Sequence, residues 1–196
     1  LKKLKASHVV VGYDFAFGNR RVGSAEWLQE RIKTTVIPPF ELDGVRVSST
    51  VLRQLIQDGE VEEAKRLRGA PFEIPGLVVA GQKLGRTIGF PTVNLARSAA
   101  QVLPKDGIYA GTCSCAYGCF AAAISIGLRP TVGGTERTIE AFLLDYPGDS
   151  LYGQSLSLAF HHRLRDEEKY DSLPELVSAI ERDVARTRDL VGSPPR

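Results

Sequence analysis

The residue types best suited to chemistry are concentrated in one stretch, Gly81-Gln82-Lys83-Leu84-Gly85-Arg86-Thr87-Ile88-Gly89-Phe90-Pro91-Thr92-Val93-Asn94-Leu95. Glycines at 81, 85 and 89 allow the backbone close to a ligand, Lys83 and Arg86 add positive charge, and Thr92 and Asn94 add neutral oxygens. That set suits a polyphosphate with its metal ion, although a glycine-rich connection between strands is also the composition of an ordinary turn. It is not a Walker loop, because G-x-x-x-x-G-K-[ST] is absent and no strand before it leads into a helix. The second candidate is Glu140, in Thr138-Ile139-Glu140-Ala141-Phe142-Leu143-Leu144-Asp145. Two-residue alternation puts it on the face of Phe142 and Leu144, so its carboxylate lies among apolar neighbours or at a strand end that opens to a cleft. There it would be a general base; the competing reading is an edge glutamate that discourages strand pairing.

Other reactive types carry less. Cys113, Cys115 and Cys119 lack a fourth ligand and read as small buried hydrophobes rather than a zinc site. His161 and His162 are adjacent, so on a strand they point to opposite faces and do not share one ion. Trp27 reads as the anchor of a helix.

These groups must be positioned by two different kinds of segment. Up to about residue 70 the pattern is layered α/β: a buried strand at 8–12, a helix from Ser24 with Trp27, Leu28 and Ile32 on one face, and a short strand at 35–37 ended by Pro38 and Pro39. Ser48-Ser49-Thr50 then caps a helix that ends at Gly59, and a last helix over 61–67 stops at Gly69. From Phe72 the signals are strands separated by glycine and proline turns, at 77–80, 107–116, 119–126, 138–146 and 155–161, and strands this short close into a barrel to hide their edges. Ser172-Leu173-Pro174-Glu175 is a capping box, and Leu173, Leu176, Val177, Ile180 and Val184 form one apolar stripe of a helix that docks on the barrel.

Composition narrows the function classes. With Lys+Arg 25 against Asp+Glu 23, the 196 residues carry a formal +2 and have no basic field for nucleic acid. No stretch approaches the roughly 20 apolar residues that span a bilayer, so no membrane partner is expected. Three clustered cysteines are no disulfide framework, which favours a reducing compartment and the cytoplasm. The chain contains no methionine and begins at Leu1, as expected for part of a longer protein.

The words GRTIGFPTVNL, DGIYAG, ISIGLRPTVGG, TIEAFLLD, LYGQSL and LRDEEKYDSLPELVSAIERDV, in this order, resemble the riboflavin kinase module of the bacterial bifunctional riboflavin kinase/FMN adenylyltransferases (FAD synthetases). Upstream, VVVGYDFAFGNRRVG and VSSTVLRQLI resemble the latter part of the adenylyltransferase domain of the same enzymes. The implied fold is a partial Rossmann-like α/β nucleotidyltransferase segment over residues 1–70, followed over 71–196 by a six-stranded antiparallel β-barrel with a C-terminal helix. The implied activity is transfer of the γ-phosphoryl of ATP to the ribityl 5′-hydroxyl of riboflavin, with Mg²⁺. In that family a P-T-A-N motif corresponds to Pro91-Thr92-Val93-Asn94, where the threonine and asparagine serve the metal and nucleotide phosphates. Val93 replaces the usual alanine and, in an extended segment, points away from its two neighbours.

By the same resemblance Gly81, Gly85, Arg86, Gly89 and Phe90 form a nucleotide flap, with Lys83 at a flap position of unassigned role. Glu140 is the base that accepts the hydroxyl proton, and Arg163 and Arg165 lie in a loop region that closes on flavin. Tyr13, Asp14, Phe15, Arg21, Ser49, Thr50 and Arg53 match later parts of the adenylyltransferase site. Its H-x-G-H motif is missing here, since the only histidines are His8, His161 and His162, so this chain is not expected to make FAD. The alternative from a different class is a barrel that binds flavin or nucleotide without catalysis.

Overall fold

The computed structural model describes residues 5–81, 84–131, 134–148 and 150–194. Two compact units emerge, Leu1–Ser49 and Thr50–Arg196. In the first, β1 (His8–Gly12) leads through a small antiparallel pair, β2 (Ala16–Phe17) and β3 (Gly23–Ser24), into α1 (Ala25–Gln29) and then β4 (Lys33–Ile37). The strands β1 and β4 pair in parallel, with Val11 opposite Val36. Ser24 starts α1 as its sequence suggests, its Oγ accepting from the Trp27 amide at 3.3 Å. A hairpin of β5 (Glu41–Leu42) and β6 (Val45–Arg46) turns at Asp43 and Gly44, both at positive φ.

The expectation of a buried strand at 8–12 is corrected: only Val11 of β1 is buried, and Val10 is 60% exposed. Among the described residues β1 has a single strand neighbour, so most of its surface is left uncovered. Trp27 is likewise only partly an anchor. It meets Phe17 edge-on at 5.4 Å and carries the Arg31 guanidinium 3.9 Å above its ring, yet remains half-exposed.

The second unit opens with α2 (Ser49–Asp58) and α3 (Val61–Arg68), ended by Gly59 and Gly69 in left-handed geometry. The composition shift lies near Gly69, but packing divides the chain at Ser49/Thr50 because Ile56, Val61 and Ala64 of these helices belong to the same core cluster as the barrel.

The barrel consists of β7 (Phe72–Val79), β8 (Thr92–Ala96), β9 (Gly107–Cys115), β10 (Gly118–Thr131), β11 (Gly134–Leu143) and β12 (Ser155–Arg165), closed in the order β10-β11-β8-β7-β12-β9. All six pairings are antiparallel, and closure removes every free edge. Five of the strands overlap runs legible in the sequence; β8 is the sixth. Ile74, Val78, Tyr109, Ile124, Ile126, Ile139, Leu158 and Phe160 fill the interior. Cys113 is part of that filling, and burial pushes its thiol up to about 12, which leaves it protonated and inert. His161 and His162 part company as expected: the first meets Thr112 Oγ1 at 3.2 Å, the second Glu62 at 3.4 Å.

A short helix, α4 (Leu84–Thr87), interrupts the connection from β7 to β8, and α5 (Leu173–Val191) follows the last strand. Ser172 caps α5 by accepting from the Glu175 amide at 3.4 Å. The expected docking stripe needs correction, because the deepest line is Ala179, Asp183 and Thr187, while Leu173 is 53% exposed. Small residues let the helix lie close to the wall, and Leu176 and Ile180 are released to face a cleft. No helix among the described residues is long and apolar enough to cross a membrane.

Candidate active site

Alternation on β11 sends Ile139, Ala141 and Leu143 into the core and Glu140 and Phe142 to the outer surface of the barrel. On the adjoining strand Val93 packs against the core, as its placement opposite to Thr92 and Asn94 requires, and those two face outward. The antiparallel register sets Glu140 directly across from Asn94 and Phe142 across from Thr92. The Thr92 hydroxyl donates to Glu140 Oε2 at 3.0 Å. Residues 48 apart in sequence therefore meet on one side of the barrel wall.

Two cavities adjoin this point. The first, about 390 Å³, lies between the outer wall, residues 85–90, the segment 167–170 and α5; Ile88, Ile108, Leu176, Ile180 and Tyr170 supply its apolar surface and Glu140 its carboxylate. The second, about 500 Å³, is lined by Arg86, Gly89, Val93, Tyr146 and Tyr152 among others. Thr92 and Phe142 line both. Each volume is in the range of small-molecule sites.

The glycine-rich segment is held close by its lack of side chains. A β-carbon on Gly81 would collide with the Asn94 side-chain amide, and one on Gly85 with the Phe90 carbonyl. Gly89 adopts φ +89°, and the Phe90 amide donates to the Gly85 carbonyl at 2.8 Å. Phe90 then meets Phe142 edge-to-face at 5.3 Å, which lays the segment over the Glu140–Thr92 pair. Lys83 lies outside the described residues.

The two arginines separate. Arg163 is absent from the lining of the Glu140 cleft; its Nη2 donates to the Asp106 carbonyl at 2.9 Å and to Asp166 Oδ1 at 2.6 Å, and it borders a different depression beside Gly59, Glu62 and Arg66. Arg165 does line the cleft and pairs with Asp183 of α5 at 2.7 Å. Burial pulls its guanidinium downward, but the hydrogen bond and charge of Asp183 outweigh this and hold it above its ordinary value. Sequence reasoning does not single out Asp183, Tyr170, Leu176 or Ile180 as ligand-facing; the apolar stripe of α5 includes Leu176 and Ile180, and no local pattern marks Asp183 or Tyr170.

Within the first unit, Tyr13, Asp14 and Phe15 form the turn after β1, where the Arg46 guanidinium lies 4.7 Å above the Tyr13 ring and Arg21 donates to the Asp14 carbonyl at 3.3 Å. Ser49 and Thr50 begin α2, with Arg53 exposed one turn later. Among the described residues no group of three or more His, Cys, Asp or Glu could hold a metal ion. The oxygens of Thr92 and Asn94 are hard donors of the type Mg²⁺ prefers when phosphate oxygens complete its shell.

Comparison with known proteins places both parts of the sequence. Residues 1–51 match the FAD synthetase family. The chain is 39% identical over 193 residues to the bifunctional riboflavin kinase/FMN adenylyltransferase of Pseudomonas fluorescens, covering 95% of this chain and 61% of that protein. The enzyme of the same description from Escherichia coli K12 is 38% identical over 198 residues, covering 98% and 63%. The chain thus spans about three fifths of the length of these curated relatives. A solved structure described as a macrolide-efflux protein from Streptococcus pneumoniae superposes with a TM-score of 0.85 at 35% identity, over 96% of this chain and 62% of that one. Residues 68–191, the barrel with α5, match the riboflavin kinase (flavokinase) family, and to that family the chain belongs.

Proposed function

We propose that this chain phosphorylates riboflavin, transferring the γ-phosphoryl of ATP to the ribityl 5′-hydroxyl to give FMN. The observation that carries the reading is the Thr92–Glu140 pair, 3.0 Å apart, at the junction of two cavities. The apolar cleft against α5 suits the flavin ring, and the cavity beside Arg86 suits the nucleotide, so the attacking oxygen and the phosphoryl group approach Thr92 from opposite sides. Glu140 accepts the proton as the 5′-oxygen forms its bond to phosphorus and the bond to the β-phosphate oxygen breaks, releasing ADP. Phosphoryl transfer passes through a loose transition state, so positioning and charge neutralisation do most of the work. Thr92 and Asn94 would hold Mg²⁺ together with the phosphates; the ion supplies neutralisation of the developing charge.

In this reading Gly81, Gly85, Arg86, Gly89 and Phe90 cover the nucleotide, and the sequence module of the kinase begins near residue 71 although its core recruits α2 and α3. Arg165 belongs to the flavin side; Arg163 acts outside the cleft. Tyr13, Asp14, Phe15, Arg21, Ser49, Thr50 and Arg53 are the remnant of an adenylyltransferase site, and adenylylation of FMN to FAD belongs to a longer protein carrying H-x-G-H. The cytoplasm, where ATP is available, is the proposed compartment.

The test is to incubate the chain with riboflavin, ATP and Mg²⁺ and to separate flavins by chromatography. FMN is the expected product. Flavin binding without FMN would replace the kinase reading by that of a binding module, and neither binding nor turnover would remove both.

A further inference from the structure

Arg165 ties together three elements that wall the cleft. It leaves the end of β12, and its Nε and Nη2 reach the Asp183 carboxylate of α5 at 3.1 and 2.7 Å. Nη1 donates to the Asp166 carbonyl at 3.0 Å, and the guanidinium lies 5.8 Å from the Tyr170 ring centre, which secures the segment between β12 and α5. Its fork of donors is therefore committed to partners within the protein. Asp183 is buried, 8% exposed, and Arg165 is largely covered, 21% exposed, whereas another ion pair of α5, Arg188 with Asp145, is 54% and 78% exposed. Buried pairs cannot lose one member cheaply, because the other is left as an uncompensated charge. Asp183 stands one turn from Ile180 and two from Leu176, on the helix face that lines the cleft.

We infer that Arg165 is a positioning residue: through Asp183 it fixes how Leu176 and Ile180 of α5 present their apolar surface to the flavin, rather than binding the flavin itself. The inference rests on the kinase reading for its ligand but not for its contact network. Arg165→Lys keeps a charge and loses the planar fork; Asp183→Asn keeps the volume and loses the charge. Each raises KM for riboflavin by roughly 10-fold, in the range that small misplacement of a binding wall produces, with KM for ATP unchanged. The double variant is no worse than either single one, since both break the same fastening.

The overturning result is equally definite. If the guanidinium grips flavin directly, Asp183→Asn frees it and leaves binding intact or tighter, and the Arg165→Lys loss persists undiminished in the Asp183→Asn background. Hydrogen exchange over residues 173–191 supplies a readout independent of turnover: faster exchange in both single variants supports the fastening, and wild-type exchange in either overturns it. Should the single variants fold poorly, Arg165→Met with Asp183→Leu removes both charges and keeps the bulk. That pair is expected to restore slow exchange; failure to do so with a native melting profile would also overturn the inference. A wild-type chain that bound no riboflavin would sink the kinase reading while the exchange experiment still decided the role of Arg165.

Discussion

The two units of this chain use strands in opposite ways. In residues 5–49 a two-stranded parallel sheet and two minimal hairpins bury Val11, Ala25 and Leu28, with a few partly covered neighbours. From residue 50 onward six strands close on themselves around a core that includes Ile124, Ile126, Leu158 and Phe160, none of them measurably exposed. Two strands satisfy few of each other's backbone groups and cover little apolar surface, while a closed barrel leaves no edge unpaired. A wall of that kind can hold a carboxylate and a hydroxyl from distant parts of the chain in fixed register; in the smaller unit Tyr13 and Asp14 sit on the turn after β1.

The largest way to sharpen the contrast is chemical. Glu140→Gln is expected to lower FMN formation by roughly 10²- to 10⁴-fold while riboflavin still binds, the range for loss of a general base. Unchanged turnover would leave Glu140 only a structural partner of Thr92 on the barrel wall. A packing test follows. Phe160→Ala, beneath Tyr109 and Phe72, should cost about 3–5 kcal/mol and unfold the barrel at a lower temperature. Leu28→Ala in the smaller core should leave the barrel transition in place; a common shift of both would mean that the units melt as one.

Third in size is Thr92→Ala, which should raise the Mg²⁺ concentration needed for half-maximal rate on the order of 10- to 100-fold, as for lost groups around metal sites elsewhere. Wild-type metal dependence would displace the ion from that position. The smallest effect concerns His161, whose pKa is lowered from 6.5 by burial and by Lys65 and His162. The folded state resists its protonation, so its contribution to stability is complete above pH 6.5 and is lost as pH falls through the folded pKa. Melting curves between pH 7.5 and 5 should show a decline that His161→Gln flattens, and an equal slope in both proteins would contradict the assignment.

Much of this was legible one residue at a time. The alternation around Glu140 places it with Phe142, and the short run Thr92-Val93-Asn94-Leu95-Ala96 has the same two-residue period, though the glycines and Pro91 before it hide the fact that it is a strand. The position of the unit boundary was not legible, because Ile56, Val61 and Ala64 look like the face of any short helix until the barrel supplies their partners. The stripe on α5 was legible as apolar but not as divided: only packing reveals that Ala179, Asp183 and Thr187 go to the wall while Leu176 and Ile180 are left for a ligand. The Arg165–Asp183 pair joins a strand to a helix 18 residues later, and no local pattern announces it.

The alternation along β11 also separates two kinds of tinkering. Ile139, Ala141 and Leu143 fill the barrel while Glu140 and Phe142 face the cleft, so heat resistance and turnover can be rewritten on opposite sides of a single ribbon. Engineers seeking a hardier protein could start with Ile139 and Ala141 and leave the outer face as it is.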